Sequence, residues 1–176
     1  MKKLLLLIAF VPALAAHAQF TNVPLTIFET RYHAVDKPLI RGMAVVPEAE
    51  ALFLEVRAEK LTTLPGSNSV FAISLRGRAS NYTDVDYIDA DELDGLIRGI
   101  KLISQAGHSI TTMDDFEVTY RTRSGFSISK SSSGNNVIII VKSGRHDDQR
   151  VQIENYVLDD LASAIAAAKA KLDSLR

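Results

Sequence analysis

Along Val85-Asp86-Tyr87-Ile88-Asp89-Ala90-Asp91-Glu92-Leu93-Asp94-Gly95-Leu96-Ile97-Arg98-Gly99-Ile100 the apolar period switches from two residues to about 3.6, so a strand passes directly into an amphipathic helix. Leu93, Leu96, Ile97, Ile100 and Ile103 share one helical face. Asp89, with Glu92 three positions later, supplies the opening signal, and Gly107 marks the close. Upstream the pattern is strand-like. Leu52, Leu54 and Val56 alternate with Phe53, Glu55 and Arg57, and Phe71, Ile73 and Leu75 alternate with Ala72, Ser74 and Arg76. Pro65-Gly66-Ser67-Asn68 marks a hairpin-like connection between these two strands, and Leu25 to Tyr32 reads as an earlier strand.

The same order returns downstream. Phe116, Val118 and Tyr120 alternate with Glu117, Thr119 and Arg121; Phe126-Ser127-Ile128 follows; and Val137 to Val141 comes after the turn-rich Ser131 to Asn136. A short strand from Arg150 to Glu154 precedes a closing helix. Its stripe is Leu158, Leu161, Ile165, Ala168, Leu172 and Leu175, within an alanine-rich segment of high helix propensity. Setting Ile88 on Ile153 aligns Asp89 with Glu154, Leu93 with Leu158, Asp94 with Asp159, Leu96 with Leu161 and Ile100 with Ile165. The expected fold is therefore α+β. An antiparallel sheet carries two amphipathic helices on one face, built from a duplicated β-β-β(-β)-α unit spanning about residues 24–107 and 108–176. This order, with a strand feeding straight into a helix over roughly residues 50–176, is similar in outline to PUR-repeat and whirly-type folds. Those folds place single-stranded nucleic acid on the open sheet. The resemblance is one of architecture.

The N-terminus reads as a secretory leader. Met1-Lys2-Lys3 is followed by the apolar run Leu4 to Leu14 and by Ala15-Ala16-His17-Ala18, whose small residues fit cleavage after Ala18. The apolar run is too short for a permanent span. The expected product is residues 19–176, one α+β domain in the periplasm or secreted, without a membrane anchor of its own. Removing 18 of the 176 residues, two of them lysines, leaves 158 with 18 basic and 21 acidic groups, a net charge of −3. Export and that charge argue against nucleic acid as the partner. The chain has no cysteine, which excludes disulfides, thiolate metal sites and a cysteine nucleophile.

Chemical motifs are sparse. The acidic run Asp84 to Asp94 fits no register of a calcium loop; Asp89, Asp91 and Glu92 read as helix-start residues, and Asp84 and Asp86 as outward positions of a strand. His33, His108 and His146 lack metal-ligand spacing, so no metal or cofactor is expected. Gly95 and Gly99, four apart on the first helix, read as a place of close packing. No catalytic residues are assigned. The outward sheet positions Arg57, Arg76, Arg78, Arg121 and Arg123 form the candidate binding surface, suited to an anionic polymer, a peptide or an envelope component. The expected function is an exported, non-enzymatic binding or interaction module. Two alternatives are a small envelope hydrolase using His146, Asp147 and Asp148 or His108, and a homo-oligomer assembled through a sheet edge or the alanine-rich helix.

Overall fold

Residues 23–34, 38–46, 53–66, 68–107, 111, 113, 115–146 and 148–176 are described in a computed structural model; the expected leader, 1–18, lies outside them, as do Leu52, His108 and Asp147. Four strands precede each long helix. A short helix α1 (Ile27–Tyr32) comes first. Strands β1 (Leu39–Val45), β2 (Leu54–Thr63), β3 (Ser69–Gly77) and β4 (Val85–Asp89) then lead into α2 (Leu93–Gln105). Strands β5 (Asp115–Arg121), β6 (Ser127–Ser133), β7 (Asn136–Lys142) and β8 (Arg150–Ile153) lead into α3 (Asn155–Asp173).

The α+β class and the duplicated ββββα unit are both present, and the strands divide into two antiparallel meanders, β1-β2-β3-β4 and β5-β6-β7-β8, in place of one sheet. Each long helix crosses to the other half. The second half's α3 lies on β2 and β3, the first half's α2 lies on β5 and β6, and the two helices pack together. One core results. It joins Val56, Ile73 and Ile88 of the first sheet, Ile128 and Val141 of the second, and Leu96, Ile100, Leu161 and Ile165 of the helices.

Four local expectations are corrected. Leu25 to Tyr32 holds a helix in place of a strand, because Thr26 and Glu29 form a reciprocal capping box and the Asp89 carboxylate accepts from the Ile27 and Phe28 amides, 2.8 and 3.1 Å away. Asp89 therefore caps α1, and α2 begins after Glu92 with no side-chain cap. Ser131 to Ser133 belong to β6, and the reversal is confined to Gly134-Asn135, with Gly134 at φ 56°. Asp86 points inward and is 1% exposed, on the same strand face as Ile88.

The expected close packing at Gly95 and Gly99 is present, and its partner is Tyr120 of β5. A Cβ at Gly99 would sit 2.3 Å from Tyr120 Cδ2 and 2.7 Å from its Cγ. Alanine in place of glycine favours a helix by about 1 kcal/mol, whereas forcing aside a partly buried ring packed on the core costs about 1–3 kcal/mol. The ring cannot swing clear by its tip alone, since Cγ itself is in contact, so the clash prevails. Gly99→Ala is expected to lower stability by about 1–2 kcal/mol in chemical denaturation, and Tyr120→Leu in the same chain to restore part of the loss. An unchanged or raised midpoint for Gly99→Ala alone would contradict this packing.

Candidate anion-binding site

The two sheets present different outer faces. On the first, α1 lies against β2, β3 and β4, so that Phe28, Leu61 and Ala72 form a second small core, with Phe28 stacked on Tyr87 at 5.2 Å between centroids. Beside it Glu59, 1% exposed, holds both ends of the Arg41 guanidinium fork at 2.6 and 2.9 Å and accepts from Ser74 Oγ. Arg41 also lies over the rings of Tyr32 and Tyr87. The bidentate bond to Glu59 raises its pKa further above the ordinary arginine value. This face is a sealed polar cluster.

The five candidate arginines are dispersed. Arg57 and Arg78 both pair with buried Glu55 on the first sheet, and the bond from Arg78 is the largest reason that this carboxyl titrates below its usual range. Arg76 is exposed on the same face, opposite Glu55. Arg123 lies in the β5–β6 turn and reaches Asp89, Asp91 and Glu92 where β4 meets α2, tying the two halves together. Arg121 alone of the five lies on the outer face of the second sheet.

That second face is left uncovered by the described helices, since α1 lies on the first sheet while α2 and α3 occupy the inner faces. The pairing register there brings Arg121 of β5, Ser127 of β6, Lys142 of β7 and Arg150 of β8 into a single cross-strand row. Their inward neighbours Tyr120, Ile128, Val141 and Val151 belong to the core or pack on it, so the alternation of each strand points the row outward. Among the described residues, no carboxylate pairs with Arg121 or Arg150, and no partner takes the Ser127 hydroxyl. Lys142 and Arg150 are directly opposite one another, a like-charge placement that destabilises a sheet modestly. A pocket of about 50 Å³ adjoins the row, lined by Val23, Arg121, Gly125, Ser127, Lys142, Ser143 and Gly144.

The first sheet supplies an internal comparison. When Ile73 opposite Ile88 is matched to Ile139 opposite Ile153, the row Glu55, Arg76, Val85 takes the place of Ser127, Lys142, Arg150. The same positions of the pairing register therefore hold one acid and one cation in the first half and two cations in the second. The fold itself does not require the second arrangement. Lys142 and Arg150 were open to sequence reading, since each adjoins an inward valine, but their alignment with Arg121 depends on strand register, which alternation alone does not give.

The histidine alternative has a different setting. His146 is about half exposed, and its Nδ1 lies 2.7 Å from Asp84 Oδ2. Asp84 also accepts from Ser143 Oγ at 2.8 Å, so the serine hydroxyl bonds a carboxylate and not the imidazole. That order does not activate a serine nucleophile. Asp148 is exposed, Asp147 and His108 lie outside the described residues, and His33 caps the C-terminus of α1. Among the described residues no group of three or more potential metal ligands occurs. No described helix is long and apolar enough to cross a membrane. No protein-family model, characterised protein or solved structure matches the chain, so the reading of this site rests on its geometry.

Behind the pocket, Asp86 fixes the loop that joins Lys142 to Arg150. It accepts from Tyr82 Oη at 2.6 Å, from the Gly144 amide at 2.8 Å and from Ser143 Oγ at 3.3 Å. Burial raises the Asp86 pKa despite these donors. A native carboxyl with a raised pKa binds a proton that the unfolded chain has already released. Its contribution is full below the unfolded value of about 3.9 and is lost as pH rises through the native value. Asp86→Asn cannot titrate. The stability difference between wild type and Asp86→Asn is therefore expected to shift in favour of the variant as pH rises from about 4, by up to about 1.4 kcal/mol per pH unit. Denaturant unfolding at pH 4, 5, 6 and 7 measures this, and a pH-independent difference would contradict the assignment.

Proposed function

We propose that the protein is an exported, non-enzymatic binding module that holds an anionic ligand on the outer face of its second sheet. Arg121 and Arg150 supply the charge and Ser127 a hydroxyl donor. The reading rests on one observation: Arg121 and Arg150 are exposed at the two ends of one outward row and have no carboxylate partner among the described residues, whereas Arg57 and Arg78 of the first sheet share Glu55. An anion gives the guanidinium groups of Arg121 and Arg150 the charge-assisted partners that Arg41, Arg57, Arg78 and Arg123 find within the protein. Export is proposed from the leader-like N-terminus, and it would place the module among envelope or extracellular polymers.

The test uses the chain lacking residues 1–18 and immobilised polyphosphate as a plain polyanion. Arg121→Ser/Arg150→Ser is expected to weaken retention at least tenfold and to lower the salt slope by about 1.4, at about 0.7 for each of the two cation contacts on a flexible polyanion. Both side chains are exposed, so stability is expected to stay within about 0.5 kcal/mol of wild type. Arg57→Ser, which alters an internal pair, is expected to leave retention unchanged. Equal retention of wild type and the double variant would overturn the placement.

A further inference from the structure

We infer that β1 is an interaction edge on which a second copy of this chain adds its own β1 antiparallel, joining the two first sheets into one. The inference is independent of the anion site, which lies on the other sheet. It starts from the backbone. The Val46 amide donates to Val56 O at 3.3 Å and Pro38 O accepts from the Leu64 amide at 2.9 Å, so the even-numbered residues from 38 to 46 turn their polar groups toward β2. Leu39, Arg41, Met43 and Val45 therefore turn theirs away, and among the described residues no strand pairs with them. A row of outward amides and carbonyls is a template for a further strand.

The four edge strands are not alike. β8 has only four residues, β5 carries Asp115, Glu117 and Arg121, and β4, of five residues, holds Asp86 pointing inward; short length, charge and inward acids all discourage pairing between molecules. β1 has none of these. Its seven residues pair with β2 in an unbroken register without a bulge, include neither lysine nor proline, and leave Ile40, Met43 and Val45 each about half exposed. Its one charge, on Arg41, is already held by Glu59.

What fits that edge is β1 itself. A twofold axis through Gly42, the midpoint of Leu39–Val45, is the register that pairs the whole strand, and it sets Leu39 opposite Val45, Ile40 opposite Ala44 and Arg41 opposite Met43 of the second copy. Apolar side chains meet apolar ones, and no two like charges face each other. The outward-turned residues form the hydrogen-bonded pairs, so Gly42 faces Gly42 of the second copy in a non-hydrogen-bonded pair, with about 4.5 Å between Cα atoms. A Cβ at Gly42 would meet nothing nearer than Lys60 O at 3.9 Å, so the fold leaves space there for a reporter side chain.

The chain has no cysteine, so a single introduced thiol reports the register. In the chain lacking residues 1–18, Gly42→Cys is expected to form a disulfide-linked dimer with diamide at least about tenfold faster than Ile40→Cys, because only the pair on the axis falls within the roughly 4.4–6.8 Å between Cα atoms that a disulfide spans. Both positions are exposed, so access to the oxidant is alike. Sedimentation equilibrium of the cysteine-free chain from about 10 μM to about 1 mM is expected to show the mass rising toward twice the monomer's, as suits a small interface. Met43→Lys lies opposite Glu59 within the chain and opposite Arg41 across the axis, so it is expected to weaken dimerisation at least about tenfold through two like-charge pairs while the monomer stays folded. Met43→Pro, which removes only an amide turned to the open edge, is expected to do the same. Arg121→Ser/Arg150→Ser should dimerise as wild type does. A monomer at every concentration, equal crosslinking at positions 40 and 42, or a dimer that both Met43 variants leave intact would overturn the inference; retention on polyphosphate reads the anion site separately.

Discussion

Each sheet's apolar face is covered by the helix of the other half, and the rest of the molecule follows from that exchange. A four-stranded meander with one wet face cannot bury its other face alone. Here α3 closes over β2 and β3, α2 closes over β5 and β6, and the helices meet between them. The core is therefore common to both halves. The close approach that permits it is local: Gly95 and Gly99 remove the side chains that would keep α2 away from Tyr120. The Arg123 contacts to Asp89, Asp91 and Glu92, and the Asp86 contacts to Ser143 and Gly144, then fix the ends of one sheet against the other.

With both inner faces committed to the core, only the outer faces remain for recognition, and the chain treats them differently. On the first sheet α1 seats Phe28 over Leu61 and Ala72, while Glu59 takes up Arg41 and Glu55 takes up Arg57 and Arg78. The second sheet has no such cover. Its outward rows are short-chained and polar apart from Ile138 and Ile140, and one of them gathers three cations. A buried polar exception lies on the inner face: Lys130 donates to Ser104 O at the end of α2 and to Asn155 Oδ1 at the start of α3, and burial lowers its pKa. That lysine serves the helix ends, where a cation offsets the partial negative charge of the last carbonyls. Arg121 and Arg150, both exposed, have no such contact among the described residues.

Much of this architecture was legible from periodicity. The alternation Phe71, Ile73, Leu75 and the helical stripes from Leu93 and Leu158 give elements of the right type, because each buries one face and leaves the other wet. The division into two sheets was not legible, since it depends on which helix crosses to which half. α1 was missed although Thr26 and Glu29 form a readable capping box; its six residues are too few for a periodic signal. Asp86 shares strand parity with Ile88, and its inward position was obscured by residue type, because the donors that satisfy it, Tyr82 and Gly144, come from distant turns. The candidate site was half legible. Arg121 was found by alternation, whereas Arg57, Arg78 and Arg123 have internal acid partners that parity cannot show.

The account's central claim is that the outward row carrying Arg121 and Arg150 on the second sheet is the ligand surface of the molecule. The most direct measurement is a two-dimensional NMR titration of the chain lacking residues 1–18 with polyphosphate, following backbone amides and arginine Nε–H signals together. The account predicts saturable shifts confined to Arg121, Ser127, Ser129, Lys142, Arg150 and Gln152, with the Nε–H signals of Arg41 and Arg123 unmoved. Shifts centred on β1, β2 or α1, or spread evenly over the surface, would contradict it.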